Sequence, residues 1–171
     1  MAMSMPKNLE RMTLLVDRER CTGCNTCMLI CSFINDRIFS YERSRIRVWR
    51  DDAQGIFIPI LCEHCENAPC VLVCPTGALF RDEVGIVRRN AVRCIGCNEC
   101  MNACPIGAIT FSPDGKWMKC DLCLSAGGTP YCAQYCTAGA LRWVPERLVA
   151  RQRMMPAARR RVKVVESRGG G

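Results

Sequence analysis

The sequence predicts an α+β chain of short β-hairpins and short helices, gathered around cysteine-rich loops rather than one continuous apolar core. Three observations carry that prediction. Sixteen cysteines fall into four compact quartets with none left over. Brief β-rich runs, broken by turns containing Gly, Pro or Asp, separate the quartets. The pattern C-x-x-G-A-[LI] recurs at 74–79, 104–109 and 136–141, the mark of a repeated unit.

The third quartet is the most regular. Cys94, Cys97, Cys100 and Cys104 are spaced C-x2-C-x2-C-x3-C, and Pro105 follows. In that run three thiolates grip one [4Fe–4S] cube and the fourth ligates the other cube of a pair. The two-residue gaps let a short loop wrap three corners of a cube. The three-residue gap is about one helical turn, so the fourth thiolate is expected to leave from a helix that Pro105 ends. The first quartet, Cys21, Cys24, Cys27 and Cys31, repeats the spacing but is followed by Ser32. The second, Cys62, Cys65, Cys70 and Cys74, widens one gap and is followed by Pro75. The fourth, Cys120, Cys123, Cys132 and Cys136, widens it further and is followed by Thr137. Structural zinc also uses C-x2-C pairs, but it joins two separated pairs, whereas these thiols come in quartets. Four [4Fe–4S] clusters are therefore expected.

A cysteine content of about 9% also suits a secreted disulfide scaffold. Against that, the first residues show no apolar stretch, cleavage site or twin arginine, so a cytoplasmic chain with metal-binding thiols is expected. No apolar run approaches the roughly 18 residues of a membrane span.

In chain order, residues 1–11 are polar and Met12 to Asp17 is a short strand. Arg43 to Arg50 alternates basic and apolar residues, and Ile56 to Leu61 is apolar; across DDAQG they form a hairpin beside the first quartet. Gly77 to Val92 reads as two strands around a Glu83–Gly85 turn. Ala108 to Cys120 is a hairpin turning at Pro113-Asp114-Gly115. Each Gly-Ala pair is expected to bring the backbone close to a cube before a strand begins. After LRWV the cysteines stop; Pro145 to Met154 reads as a helix and Gly169 to Gly171 as a frayed end.

His64, the only histidine, lies within CEHC. Its neighbours complete the ligand count, so it is assigned to packing or an interface rather than ligation. Met28, Met101, Trp117 and Trp143 are assigned to apolar shielding of the clusters. The sequence has no nucleophile–base pair, no G-x-G-x-x-G and no phosphate-binding loop, so no catalytic residue is assigned.

The formal charge is +8, and +7 of it lies from Arg142 onward, where nine cationic residues face Glu146 and Glu166. An oxidised cube on four thiolates carries about −2, so the cysteine-rich body is anionic once loaded. The Arg159-Arg160-Arg161 run is read as a tail that is solvated or docked on an acidic partner, not as a nucleic-acid site.

Over residues 10–145 the four quartets, with elongated second and fourth and glycine-alanine returns, resemble the four-cluster ferredoxin-like electron-transfer subunits of molybdenum and tungsten oxidoreductases, formate dehydrogenases and hydrogenases. CTGCNTCMLICSF and RSRIRV look most like the small subunits that accompany tungsten-containing aldehyde oxidoreductases; similar chains accompany tungsten-type benzoyl-CoA reductases. The resemblance implies two fused bicluster modules over 12–145. An inner module of about 62–110 is inserted in an outer one made of 12–61 and 111–145, and 146–171 forms a basic C-terminal extension. It also implies crossed ligation. Cys21, Cys24, Cys27 and Cys136 would hold cluster 1, and Cys31, Cys120, Cys123 and Cys132 cluster 2. Cys62, Cys65, Cys70 and Cys104 would hold cluster 3, and Cys74, Cys94, Cys97 and Cys100 cluster 4. The implied partners are a catalytic molybdenum or tungsten subunit and a flavin subunit or soluble ferredoxin; the cationic tail on an anionic body adds self-association as an expectation of charge alone. No nucleic acid is expected. The rival reading, a redox-sensing nucleic-acid binder, has only the tail in its favour.

Overall fold

The computed structural model describes residues 12–146, 148 and 149. The first eleven residues and nearly all of the basic extension lie outside the described residues, as do the frayed C-terminus and most of the helix expected over 145–154. Within that stretch Pro145 is not helical but ends a strand, while Glu146, Leu148 and Val149 are helical.

The strands are β1 (Met12–Val16), β2 (Arg47–Asp51), β3 (Ile56–Ile60), β4 (Leu79–Arg81), β5 (Val87–Arg89), β6 (Thr110–Phe111), β7 (Trp117–Met118) and β8 (Leu141–Pro145). They pair only as four two-stranded antiparallel ribbons: β1 with β8, β2 with β3, β4 with β5 and β6 with β7. The last three are the hairpins expected from sequence. The first is not local: Met12 pairs with Pro145 and Val16 with Leu141, and the Asp17 N–H continues the ladder to Ala140 O at 2.7 Å.

An isolated two-stranded ribbon is marginal in water, so the ribbons depend on what they pack against. Two apolar centres serve them. One gathers Cys27, Met28, Cys31, Ile46, Leu61, Cys132 and Leu141, with Leu14 and Val16 of β1 against it. The other gathers Ala68, Cys70, Leu79, Val87 and Ile109, with Trp117 against it. Cysteines are members of both, so the apolar packing and the thiol sites are one construction.

Four helices carry the inward cysteines: α1 (Thr26–Asp36), α2 (Pro69–Leu72), α3 (Glu99–Asn102) and α4 (Tyr131–Gln134). Only α1 is long. Contrary to the helical-turn expectation, α3 ends at Asn102 and does not carry Cys104; it carries Cys100. The reason is partly the proline: Pro105 bars continuation, whereas Ser32 after Cys31 lets α1 run on to Asp36 with Cys27 and Cys31 one turn apart. Ser32 is fully buried, and its hydroxyl donates to Leu29 O and accepts from the Ser40 N–H, which seats the chain leaving α1.

The expected strand from Arg43 starts four residues late, at Arg47. The backbone of this stretch is used otherwise: the Arg45 N–H donates to the sulfur of Cys31, and the Ile46 N–H to the hydroxyl of Ser44.

Candidate metal centre

Each quartet begins in a loop whose turns set the thiols. In CTGC and CIGC the glycine and the asparagine just past the second cysteine are both left-handed: φ is 70° at Gly23, 59° at Asn25, 71° at Gly96 and 64° at Asn98. Glycine adopts this region freely and asparagine more readily than other side chains. The fourth quartet reaches a similar bend without glycine, at Leu122 (φ 59°) and Cys123 (φ 58°). There the Asp121 carboxylate accepts the Cys123 and Ser125 N–H groups and so holds the strained turn.

The recurring C-x-x-G-A segment has a common geometry. The glycine N–H bonds back to the cysteine carbonyl, Gly77 to Cys74 and Gly107 to Cys104 at 3.2 Å and Gly139 to Cys136 at 3.0 Å. The following alanines and the Leu79, Ile109 and Leu141 side chains are all buried. The Ala108 N–H then donates to the sulfur of Cys104 at 3.3 Å.

Thiols from different quartets come together. One small cavity is lined by Cys62, Cys65, Cys70 and Cys104 with Lys119 at its wall. Another is lined by Cys74, Cys94, Cys97 and Cys100 with Arg89 and Trp117. Electrostatics show two further gatherings. Burial, then the charges of Cys24, Cys21 and Cys136, push the Cys27 thiol up to about 12. Burial, then Cys120, Cys31, Cys123 and Cys27, push Cys132 up further still. Burial also raises Cys120, which feels Cys31 and Cys62. At the periphery the sense reverses: hydrogen bonds from Thr26 lower Cys24, and the Leu79 backbone N–H lowers Cys74. Among the described residues no three His, Cys, Asp or Glu side chains converge on one ion's position; the thiols ring cavities instead. That arrangement, four thiols around a space with apolar walls, fits a cube.

This chain belongs to the 4Fe-4S dicluster domain family. It matches that description twice, over residues 20–79 and 53–146. It is 40% identical over 161 residues to the thiosulfate reductase electron transfer subunit PhsB of Salmonella typhi, covering 81% of this chain and 84% of that one. It is 40% identical over 126 residues to the arsenate respiratory reductase iron-sulfur subunit ArrB of Shewanella sp. strain ANA-3, covering 70% of this chain but 53% of that one. A third relative is the polyferredoxin-like subunit of an aliphatic sulfonate oxidoreductase from Pyrococcus furiosus, 42% identical over 130 residues, with 74% of this chain and 72% of that one covered. Two dicluster domains and sixteen cysteines account for four [4Fe–4S] clusters. The dicluster protein is thus a non-catalytic, electron-transfer member of an oxidoreductase complex.

Other site residues are placed as follows. His64 accepts the Val87 N–H at Nδ1 (3.1 Å), linking the second quartet's loop to β5. Burial, then the Lys119 charge, lowers its pKa to about 3, so it is neutral; this is the packing role expected. Met28 and Trp117 lie in or against the apolar centres and Trp143 is half-buried, whereas Met101 is exposed. Sequence reasoning passed over the donors that face the sulfurs. Besides Thr26, Leu79 and Ala108 these include the N–H groups of Arg45 (3.3 Å from Cys31) and Leu122 (3.4 Å from Cys120), the Asn35 amide (3.8 Å from Cys31), Arg89 (3.8 Å from Cys94) and Lys119 (3.4 Å from Cys62). Backbone donors carry no residue signature.

Proposed function

We propose that the dicluster protein is the electron wire of a molybdenum or tungsten oxidoreductase, with its quartets crossed in ligation. Cys21, Cys24, Cys27 and Cys136 hold cluster 1; Cys31, Cys120, Cys123 and Cys132 cluster 2; Cys62, Cys65, Cys70 and Cys104 cluster 3; Cys74, Cys94, Cys97 and Cys100 cluster 4. The observation that carries this reading is the pair of cavities, each lined by three cysteines of one quartet and one of another. The same crossing divides the chain into an inner module, about 62–110, inserted in an outer one.

When bound, each cube takes up and passes on an electron. The chain's own contribution is to place the sites, exclude water and set the charge around sulfur. Burial of Cys27, of Cys123 and Cys132, and of Cys70 keeps solvent from one side of the sites of clusters 1, 2 and 3. The N–H donors to sulfur stabilise the thiolate form, which favours metal binding and draws charge off the iron.

Two readings of the catalytic partner stand on different observations. CTGCNTCMLICSF and RSRIRV favour a tungsten subunit that oxidises aldehydes or reduces acids. The names of the relatives instead favour a partner that reduces thiosulfate or arsenate, or acts on sulfonates. In every case the substrate belongs to the partner and the wire is common. Localisation is proposed to be cytoplasmic; among the described residues no helix is long and apolar enough to cross a membrane.

Native, untagged co-purification with metal analysis tests the reading. A bound subunit with tungsten and aldehyde oxidation supports the first partner; molybdenum with thiosulfate or arsenate reduction supports the second. Purification as a lone chain with neither metal overturns both. For the crossing, Cys104→Ser should alter the EPR signal of the cube at Cys62, Cys65 and Cys70 and spare the one at Cys94, Cys97 and Cys100; the opposite pattern refutes it.

A further inference from the structure

Lys119 is only 7% exposed. A buried ammonium is costly unless an anion or strong acceptors surround it. Among the described residues Lys119 forms no ion pair with a carboxylate. Its Nζ donates instead to the sulfur of Cys62 at 3.4 Å and to the carbonyl of Cys120 at 2.8 Å. It forms part of the wall of the cavity ringed by Cys62, Cys65, Cys70 and Cys104. Its bond to Cys120 O ties it to the first cysteine of the fourth quartet. The ammonium therefore stands between two thiol sites, next to a sulfur of one and a carbonyl at the other. Negative charge on those thiolates is what makes its burial tolerable.

We propose that Lys119 is a potential-setting positioning residue shared by two neighbouring iron–sulfur sites, those at Cys62 and at Cys120. The inference rests on the ligand assignment of the proposed function. A fixed positive charge beside a site favours the state that carries the extra electron, so both sites are easier to reduce with Lys119 than without it. The effect is larger at the site of Cys62, whose sulfur takes the hydrogen bond directly. The two sites lie where the inner and outer sets of quartets meet, so the charge eases the passage of an electron across that junction.

The experiment is an EPR-monitored redox titration of the full-length, cluster-loaded protein, wild type against Lys119→Gln, Lys119→Met and Lys119→Arg. In the Gln and Met variants two of the four midpoints should fall, one of them by about 59 mV, a tenfold lower reduced-to-oxidised ratio at a given poise for a one-electron couple. Lys119→Arg should restore most of the shift. Iron and sulfide are measured on every sample. Wild-type iron well below about 16 per chain would count against the four-cluster assignment itself, whatever the midpoints do. With iron intact, unchanged midpoints in Gln and Met, or an equal fall in all four, would overturn the role of Lys119. Loss of about four iron in Gln and Met but not in Arg would support a requirement for the charge. The same loss in all three would overturn it by making the side chain's packing the cause.

Discussion

The backbone N–H of Arg45 points at the sulfur of Cys31, 3.3 Å away. The guanidinium of the same residue grips Asp36 further along α1 and donates to Arg43 O at 3.0 Å. Lys116, from the turn between β6 and β7, reaches the same carboxylate at 2.7 Å, and Arg43 pairs with Asp114 of that turn. The end of α1, the loop after it and a distant hairpin are thereby fixed around one thiol.

Asp36 is the anchor, and it is nearly buried, with 7% of its side chain exposed. Burial raises its pKa, but hydrogen bonds from Arg45 and Lys116 and their charges outweigh this and leave it lowered. A lowered carboxylate adds stability above the unfolded value near 4 and loses it as pH falls through the folded value. Asp36→Asn should cost roughly 3 kcal/mol at neutral pH, the low end for breaking a buried pair. The gap between variant and wild type should narrow as pH drops below about 4. Anaerobic melts followed by cluster absorbance across pH check both; a gap independent of pH would contradict the argument.

Gly23 and Gly96 occupy matching places in their quartets, with φ of 70° and 71°. Their surroundings differ. A Cβ on Gly23 would lie 2.5 Å from the ring of Phe57, whereas one on Gly96 meets nothing within 4 Å. Gly96→Ala should therefore cost only the left-handed penalty of about 1 kcal/mol and keep its iron. Gly23→Ala must displace the Phe57 ring or the Cys21–Cys24 loop, and should lose about four iron per chain. Equal iron in the two variants would show that the Phe57 contact is not limiting.

How far the sequence revealed this arrangement depended on range. Three ribbons were legible because their turns lie within a few residues, as with Asp114-Gly115 between β6 and β7. The β1–β8 ribbon was not, since nothing in Met12–Val16 names Leu141–Pro145 as its partner. The cysteines were legible as ligands from spacing alone. The thiols that would share a cavity were suggested only by family resemblance, because spacing within one quartet is silent about the others. Helix ends were half legible: Pro105 marked a stop, but the absence of proline at Ser32 had to be seen as the long α1 to acquire meaning. Lys119 was hidden because burial of a lysine is the exception to its usual exposure.

Removing the clusters should unfold most of the chain. Cys27, Cys31, Cys70 and Cys132 are themselves members of the apolar centres, and the ribbons have little else to rest on. Near-UV circular dichroism and protease resistance after anaerobic chelation are the measurements; native-like values would refute this. Any fold that survives should also be alkali-sensitive. Burial raises the Cys27 thiol from 9.0 to about 12, so its contribution is intact below about 9 and lost as pH climbs toward 12.

The basic extension carries most of the formal positive charge, while the loaded body is anionic. Deleting residues 146–171 should leave iron content and cluster spectra unchanged but weaken association with the partner or with a second copy. The weakening should be greatest at low salt, where charge acts beyond about 8 Å. Mass photometry across a salt series reads this, and identical assembly of full-length and truncated protein at every salt concentration would reduce the extension to a solvated appendage.

The pairing of Met12 with Pro145 also sets a timetable. The hairpins β2–β3, β4–β5 and β6–β7 close as soon as their own few residues leave the ribosome. Strand β1 emerges first and waits for a partner about 130 residues behind it, roughly ten seconds at typical elongation rates. During that interval the thiols of Cys21, Cys24 and Cys27 are already made, while Cys136, whose charge reaches Cys27 in the finished fold, is not. Strand β1 and the first quartet beside it are therefore made early and sealed late, which leaves oxygen and stray metal time to act there.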